Sequence, residues 1–134
     1  MSGPKVFISY SHNDSEWVRE FANTLKDLNV AVWLDEWEIA AGESFVDALE
    51  TGLRESDVIV AVLSPNNVAS PNVLFELGFA VGMGKRLIPI FSRDVVTSTI
   101  PFDLRSRRFL IQGQPNETAR EVAAALKREE ENPE

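Results

Sequence analysis

Apolar residues along the chain fall into five short runs that alternate with stretches of helical spacing. Lys5–Tyr10 (KVFISY), Val30–Leu34 (VAVWL), Asp57–Ser64 (DVIVAVLS), Arg86–Phe91 (RLIPIF) and Arg107–Ile111 (RRFLI) read as strands bounded by polar or turn residues. Between the first two, Trp17, Phe21, Leu25 and Leu28 recur at helical steps, predicting a helix over 14–28 with one apolar face. Ser44–Glu55 repeats the pattern with Phe45, Ala48, Leu49 and Leu53. Ser70 and Pro71 have the form of an N-cap and a first-turn proline, opening a third helix that stops near Gly82–Gly84. Parallel strands need crossovers, and these are right-handed, so the alternation predicts a sheet covered on both faces. Five strands suit a flavodoxin-like α/β three-layer sandwich of order 2-1-3-4-5. The unbroken apolarity of VIVAVL marks a central strand buried on both sides.

The third helix carries an anomaly. From Val73 to Met83 every residue is apolar or glycine except Glu76. A carboxylate in such surroundings is expensive to desolvate without a partner. Helical spacing sets Leu74, Leu77, Gly78 and Val81 on one face, read as the sheet-packing stripe, with Glu76, Ala80 and Met83 on another. Ligands in open α/β sheets bind beyond the carboxyl ends of the strands where the winding reverses, here between the first and third strands. That crevice gathers SHND (Ser11–Asp14), SPNNVASPN (Ser64–Asn72) and, on the same edge, DEWEIAAGES (Asp35–Ser44). Glu76 falls in the early turns of the helix leaving the third-strand loop, so it can face that crevice. Position alone leaves two readings open: an acid favoured by the helix dipole or by a structural cation, and a functional carboxylate.

Composition narrows the chemistry. At 134 residues the chain is long enough for one core and is read as a single domain over 1–134, with its core at about 5–128 and an acidic tail at 129–134. No apolar run reaches the roughly 18 residues of a bilayer span, and the start lacks signal-peptide order, so a soluble, cytoplasmic protein without membrane association is expected. The absence of cysteine removes disulfides, thiol nucleophiles and thiolate metal sites. A net charge of -8 opposes the phosphate backbone, so no nucleic-acid partner is expected.

Other motifs carry less. GFAVGMGK lacks the spacing and the final Ser or Thr of a phosphate loop, and its glycines read as helix termination and close packing. His12 lies near Ser9, Ser11 and Asp14, but no G-x-S-x-G elbow supports a triad. Asp35, Glu36 and Glu38 do not match a calcium loop and read as a solvated acidic loop, so no metal is expected. Trp37, an indole in that loop, either packs back onto the domain or meets a ligand or partner. Trp17 and Trp33 lie within patterned elements and read as core.

KVFISYSHND, VWLDEWEIAAGESF and VIVAVLSPNNVASPNVLFELGFAVGMGKRLIPIF resemble, in order, the successive boxes of a Toll/interleukin-1 receptor (TIR) domain. The resemblance implies a flavodoxin-like fold and an assembly loop at Asp35, Glu36, Trp37, Glu38 and Gly42, through which TIR domains self-associate. For the many bacterial members that are enzymes it also implies cleavage of NAD, as substrate and with no further cofactor, at the nicotinamide glycosidic bond. Glu76 is then the catalytic residue, with Tyr10, Ser11, His12, Trp37 and Phe45 lining the substrate crevice. The implied setting is an effector of bacterial immunity or signalling, with a fused or separate sensor domain. Enzymatic members often carry a tryptophan one turn before the glutamate, where this chain has Asn72. FELGFAVGMGK is also similar to a helix of nucleoside 2-deoxyribosyltransferases, which act at an anomeric carbon too. The alternatives are a non-enzymatic adaptor working by TIR–TIR contact and a nucleoside or nucleotide N-glycosidase.

Overall fold

The computed structural model describes residues 4–35, 41–42, 44–68, 71–95 and 108–131. Strands β1 (Lys5–Ser9), β2 (Ala31–Trp33), β3 (Val58–Leu63), β4 (Arg86–Phe91) and β5 (Leu110–Ile111) form one parallel sheet of order β2-β1-β3-β4-β5. The helices are α1 (Ser15–Asp27), α2 (Phe45–Glu55), α3 (Pro71–Gly82) and α4 (Pro115–Glu131). A 3-10 turn at His12–Asp14 precedes α1. The topology is the flavodoxin-like one that the alternation of elements predicts.

The pleat divides the core in two. Val6 and Ile8 of β1 and Val58, Val60 and Val62 of β3 face Val18, Phe21, Ala22 and Leu25 of α1 and Ala119, Val122 and Leu126 of α4. Their alternates, Phe7, Ile59, Ala61 and Leu63, join Trp33, Leu53 of α2, and Leu77 and Ala80 of α3 on the opposite face. Both faces of β3 are thus covered, and all six of its residues are buried. Pro89 sits within β4 where it pairs β3 at Ala61, whereas β5 meets β4 only at Ile90 and Phe91. Among the described residues, β4 is therefore an edge on the β5 side at Pro89, and a strand tolerates a missing N–H there.

Two expected faces are corrected. Leu28 is 40% exposed, because the chain leaves the helix at that point and turns through Asn29 at φ 66. Among the described side chains of α3, Val73, Leu77, Phe79 and Ala80 pack on the sheet, while Gly78 and Val81 are exposed. This helix is apolar almost all round, so periodicity could not choose the face and packing did.

The glycines divide as well. Gly84 ends α3's turn at φ +76, but a Cβ at Gly78 or Gly82 would meet nothing within 4 Å, so neither is a close-packing glycine. The packing glycine is Gly52 of α2, where a Cβ would fall 2.5 Å from the Trp33 ring. Trp33 is buried and stacked on Phe7 with centroids 4.8 Å apart, so it has no room to retreat. Alanine would gain up to about 1 kcal/mol in helix propensity, against roughly 1–3 kcal/mol for overpacking. Gly52→Ala is expected to lower the denaturation midpoint; an unchanged or higher midpoint would show that the indole yields.

Candidate functional site

The parallel register brings the ends of three strands to one edge, Phe7 beside Trp33 and Ser9 beside Ala61. Beyond those ends, side chains join the loops. Tyr10 Oη donates to Asp35 Oδ1 at 2.6 Å across 25 residues of sequence, tying the exit of β1 to that of β2. His12 Nε2 lies 4.0 Å from Asp35 Oδ2, and the His12 and Tyr10 rings are tilted at 57° with centroids 5.8 Å apart. The imidazole is 77% exposed and accessible to a ligand, whereas the Asp35 side chain is only 14% exposed.

On the other side of β1, Ser64 Oγ donates to Asp14 Oδ2 at 2.7 Å. Ser11 caps the intervening 3-10 turn, its Oγ accepting from the Asn13 amide and its carbonyl from the Asp14 amide. Ser64 opens a closed turn: its amide donates to Asn67 Oδ1, Asn67 Nδ2 donates to the Val62 carbonyl, and the Asn67 and Val68 amides donate to the Ser64 carbonyl. Ser64 and Asn67 are each 4% exposed. Buried polar groups of this kind cost free energy unless bonded, and here each is bonded.

Of the site residues expected from the sequence, Tyr10, Ser11 and His12 come together at the β1 exit, and the backbone of Glu76 is in the second turn of α3, which follows the β3 exit. Asp35 corrects the reading of a solvated acid: Tyr10 turns its carboxylate inward. Gly42 lies in an exposed turn at φ +90, a conformation that favours glycine. Glu36, Trp37, Glu38 and Ser70 lie outside the described residues, as do the side chains of Phe45 and Glu76. Asp14 bonds Ser64 and His12 faces Asp35, so the local triad does not form. Sequence reasoning missed the partnership of Ser64, Asn67 and Asp14. The Ser-Pro-Asn-Asn run after β3 has turn composition, but nothing local pointed to Asp14, 50 residues away.

Hydroxyl, imidazole and carboxylate groups at one strand edge suit a ligand rich in hydroxyls. No cluster of three or more metal-ligating side chains occurs among the described residues. No helix among them is long and apolar enough to cross a membrane.

Residues 6–126 match the family model described as TIR domain. The chain is 33% identical over 93 residues to the 2' cyclic ADP-D-ribose synthase AbTIR of Acinetobacter baumannii, covering 66% of this chain and 35% of that protein. It is 39% identical over 76 residues to Toll-like receptor 6 of Bos taurus, with 56% and 10% covered. Over 60 residues it is 38% identical to the NAD(+) hydrolase TcpA of a Theionarchaea archaeon, with 44% and 18% covered. The chain thus spans 35% or less of the length of these relatives. The crystal structure of the TIR domain of the Toll-related receptor TRR-2 from Hydra magnipapillata has the same fold, with a TM-score of 0.73 at 22% identity, covering 95% of this chain and 98% of that one.

Proposed function

Since the chain belongs to the TIR domain family, matched from residue 6 to residue 126, we propose that it cleaves NAD at the nicotinamide N-glycosidic bond, with Glu76 as the catalytic carboxylate. The observation that carries this reading is the place of Glu76: the one charge between Val73 and Met83, on the helix that follows the β3 exit at the winding reversal. The names of the relatives AbTIR and TcpA support it.

The chemistry fits a site built on one positioned acid. Nicotinamide leaves a pyridinium riboside as a neutral molecule, so its departure needs no proton donor. The anomeric carbon takes on oxocarbenium character, which a carboxylate stabilises by charge or traps, as the second carboxylate of a retaining glycosidase does. Water then completes hydrolysis to ADP-ribose, while attack by a hydroxyl of the same ADP-ribosyl group gives a cyclic product; in either case the proton of the attacking O–H passes to the Glu76 carboxylate and on to solvent. Tyr10, Ser11 and His12 bind the nucleotide beside it. The same proposal includes activation by self-association through the loop 35–44, with a fused or separate sensor domain supplying the trigger. A reading in which the domain works by contact alone is favoured by the identity to Toll-like receptor 6.

Incubating the purified protein with NAD and following free nicotinamide separates the two. Release supports the enzyme; none at high protein concentration leaves the contact reading. His12, exposed and facing Asp35, serves binding in this scheme. His12→Ala is expected to raise KM several-fold with kcat little changed, because it removes binding shared by ground and transition states. A kcat lower by ~10²–10⁴ with the loss of one limb of the pH profile would instead make His12 an acid or base.

A further inference from the structure

The β1–β3 ladder registers Val6 with Val58 and ends at Ser9 beside Ala61. Past that point no ladder sets the spacing of the two loops that form the crevice walls. Ser64 lies three positions beyond Ala61 and Asp14 five beyond Ser9, and their side chains meet at 2.7 Å.

We propose that Asp14 is a positioning residue for the glycosidic cleavage: by accepting the Ser64 hydroxyl it sets the gap between the wall bearing Tyr10, Ser11 and His12 and the wall that leads into α3 and Glu76. Each side of the contact is built to be stiff. The turn opened by Ser64 is closed on itself through both functional atoms of the Asn67 side chain and both backbone groups of Ser64. The Ser64 hydroxyl also accepts from the Asn66 amide at 3.2 Å, so its single proton is directed to Asp14. Facing it, Asp14 ends a 3-10 turn pinned to Ser11, directly before α1. Moving one wall therefore moves the other. The donor is an uncharged hydroxyl, so the contact needs an acceptor oxygen and not a charge. Asparagine supplies one; alanine does not.

The inference rests on the glycosidase reading, and kinetics of nicotinamide release from NAD test both. A displacement of about 1 Å at a reacting centre costs on the order of 10²-fold in rate. Asp14→Ala and Ser64→Ala are each expected to lower kcat by about 10–100-fold with KM within about threefold, and the double variant to do no worse than either single one. Asp14→Asn is expected to restore kcat to within about threefold of wild type. Leu126→Ala, a core truncation in α4, serves as a stability control whose kcat is retained below its melting point.

Unchanged kcat in Asp14→Ala overturns the inference alone. So does a loss that Leu126→Ala reproduces at matched melting temperature. An Asp14→Asn variant as slow as Asp14→Ala also overturns it, because the charge would then act on substrate directly. A wild-type protein that releases no nicotinamide at high protein concentration overturns the glycosidase reading, and the positioning role with it.

Discussion

Glu76→Gln is expected to lower nicotinamide release by 10³-fold or more while leaving the melting temperature within a few degrees of wild type. Glutamine keeps the length and one acceptor oxygen, removes the charge and exchanges the other oxygen for an amide NH2, so the variant tests the charge with little change in shape. A single preorganised polar group at developing charge is worth on the order of 10²–10³ in kcat, and a group that also traps the cation is worth more. The structural alternative predicts the opposite pattern. Were Glu76 half of a buried ion pair, losing it would cost roughly 3–5 kcal/mol, a fall of about 10–25 °C for a chain of this size, with no specific effect on turnover below the transition. Each role predicts its own pattern of activity and stability, so the two measurements must be made together. Full activity in Glu76→Gln, or inactivity only where the variant has melted, returns Glu76 to a structural role.

The sheet was legible because its signals are local. VIVAVL is apolar on both faces and ends up buried on both, and strand order follows from handed crossovers once the elements are recognised. Boundaries and faces were less legible. Leu28 continues the spacing of α1, yet the chain exits there through a left-handed Asn29. In α3 the stripe of Val73, Leu77 and Ala80 competes with Leu74, Gly78 and Val81 on equal terms, because no polar face opposes either. The site followed the same division. Tyr10, Ser11 and His12 are adjacent in sequence and were placed together by the strand end. Asp35 looked like a solvated loop acid until Tyr10, 25 residues away, turned it inward. Asp14 and Ser64 are joined by topology alone, and such pairs leave no periodic trace.

The second large effect expected is on concentration dependence: specific activity should rise steeply with protein concentration, by ten-fold or more over a hundred-fold range, as monomers give way to assemblies. The loop 35–44 is the element proposed to join copies. Asp35, where it begins, is bonded to Tyr10 at the crevice, so a contact that reshapes the loop acts directly on the nucleotide wall. Gly42 near its far end holds φ +90, where an added Cβ would meet nothing within 4 Å, and a proline there, fixed near φ -65°, could not adopt that backbone. A net charge of -8 opposes association over a Debye length of roughly 10 Å at 0.1 M salt. Adding salt should therefore shift the activation curve to lower protein concentration until competing ions weaken NAD binding. Gly42→Pro and Trp37→Ala should flatten the curve, and Gly42→Pro should do so while leaving the core folded, since Gly42 is exposed and outside both core clusters. Clustering the wild-type protein on a multivalent scaffold should raise activity at a total concentration where the free protein is silent. Constant specific activity across the range, in a protein that light scattering shows to be monomeric throughout, would mean that one chain holds a complete site and that the loop has no part in assembling it.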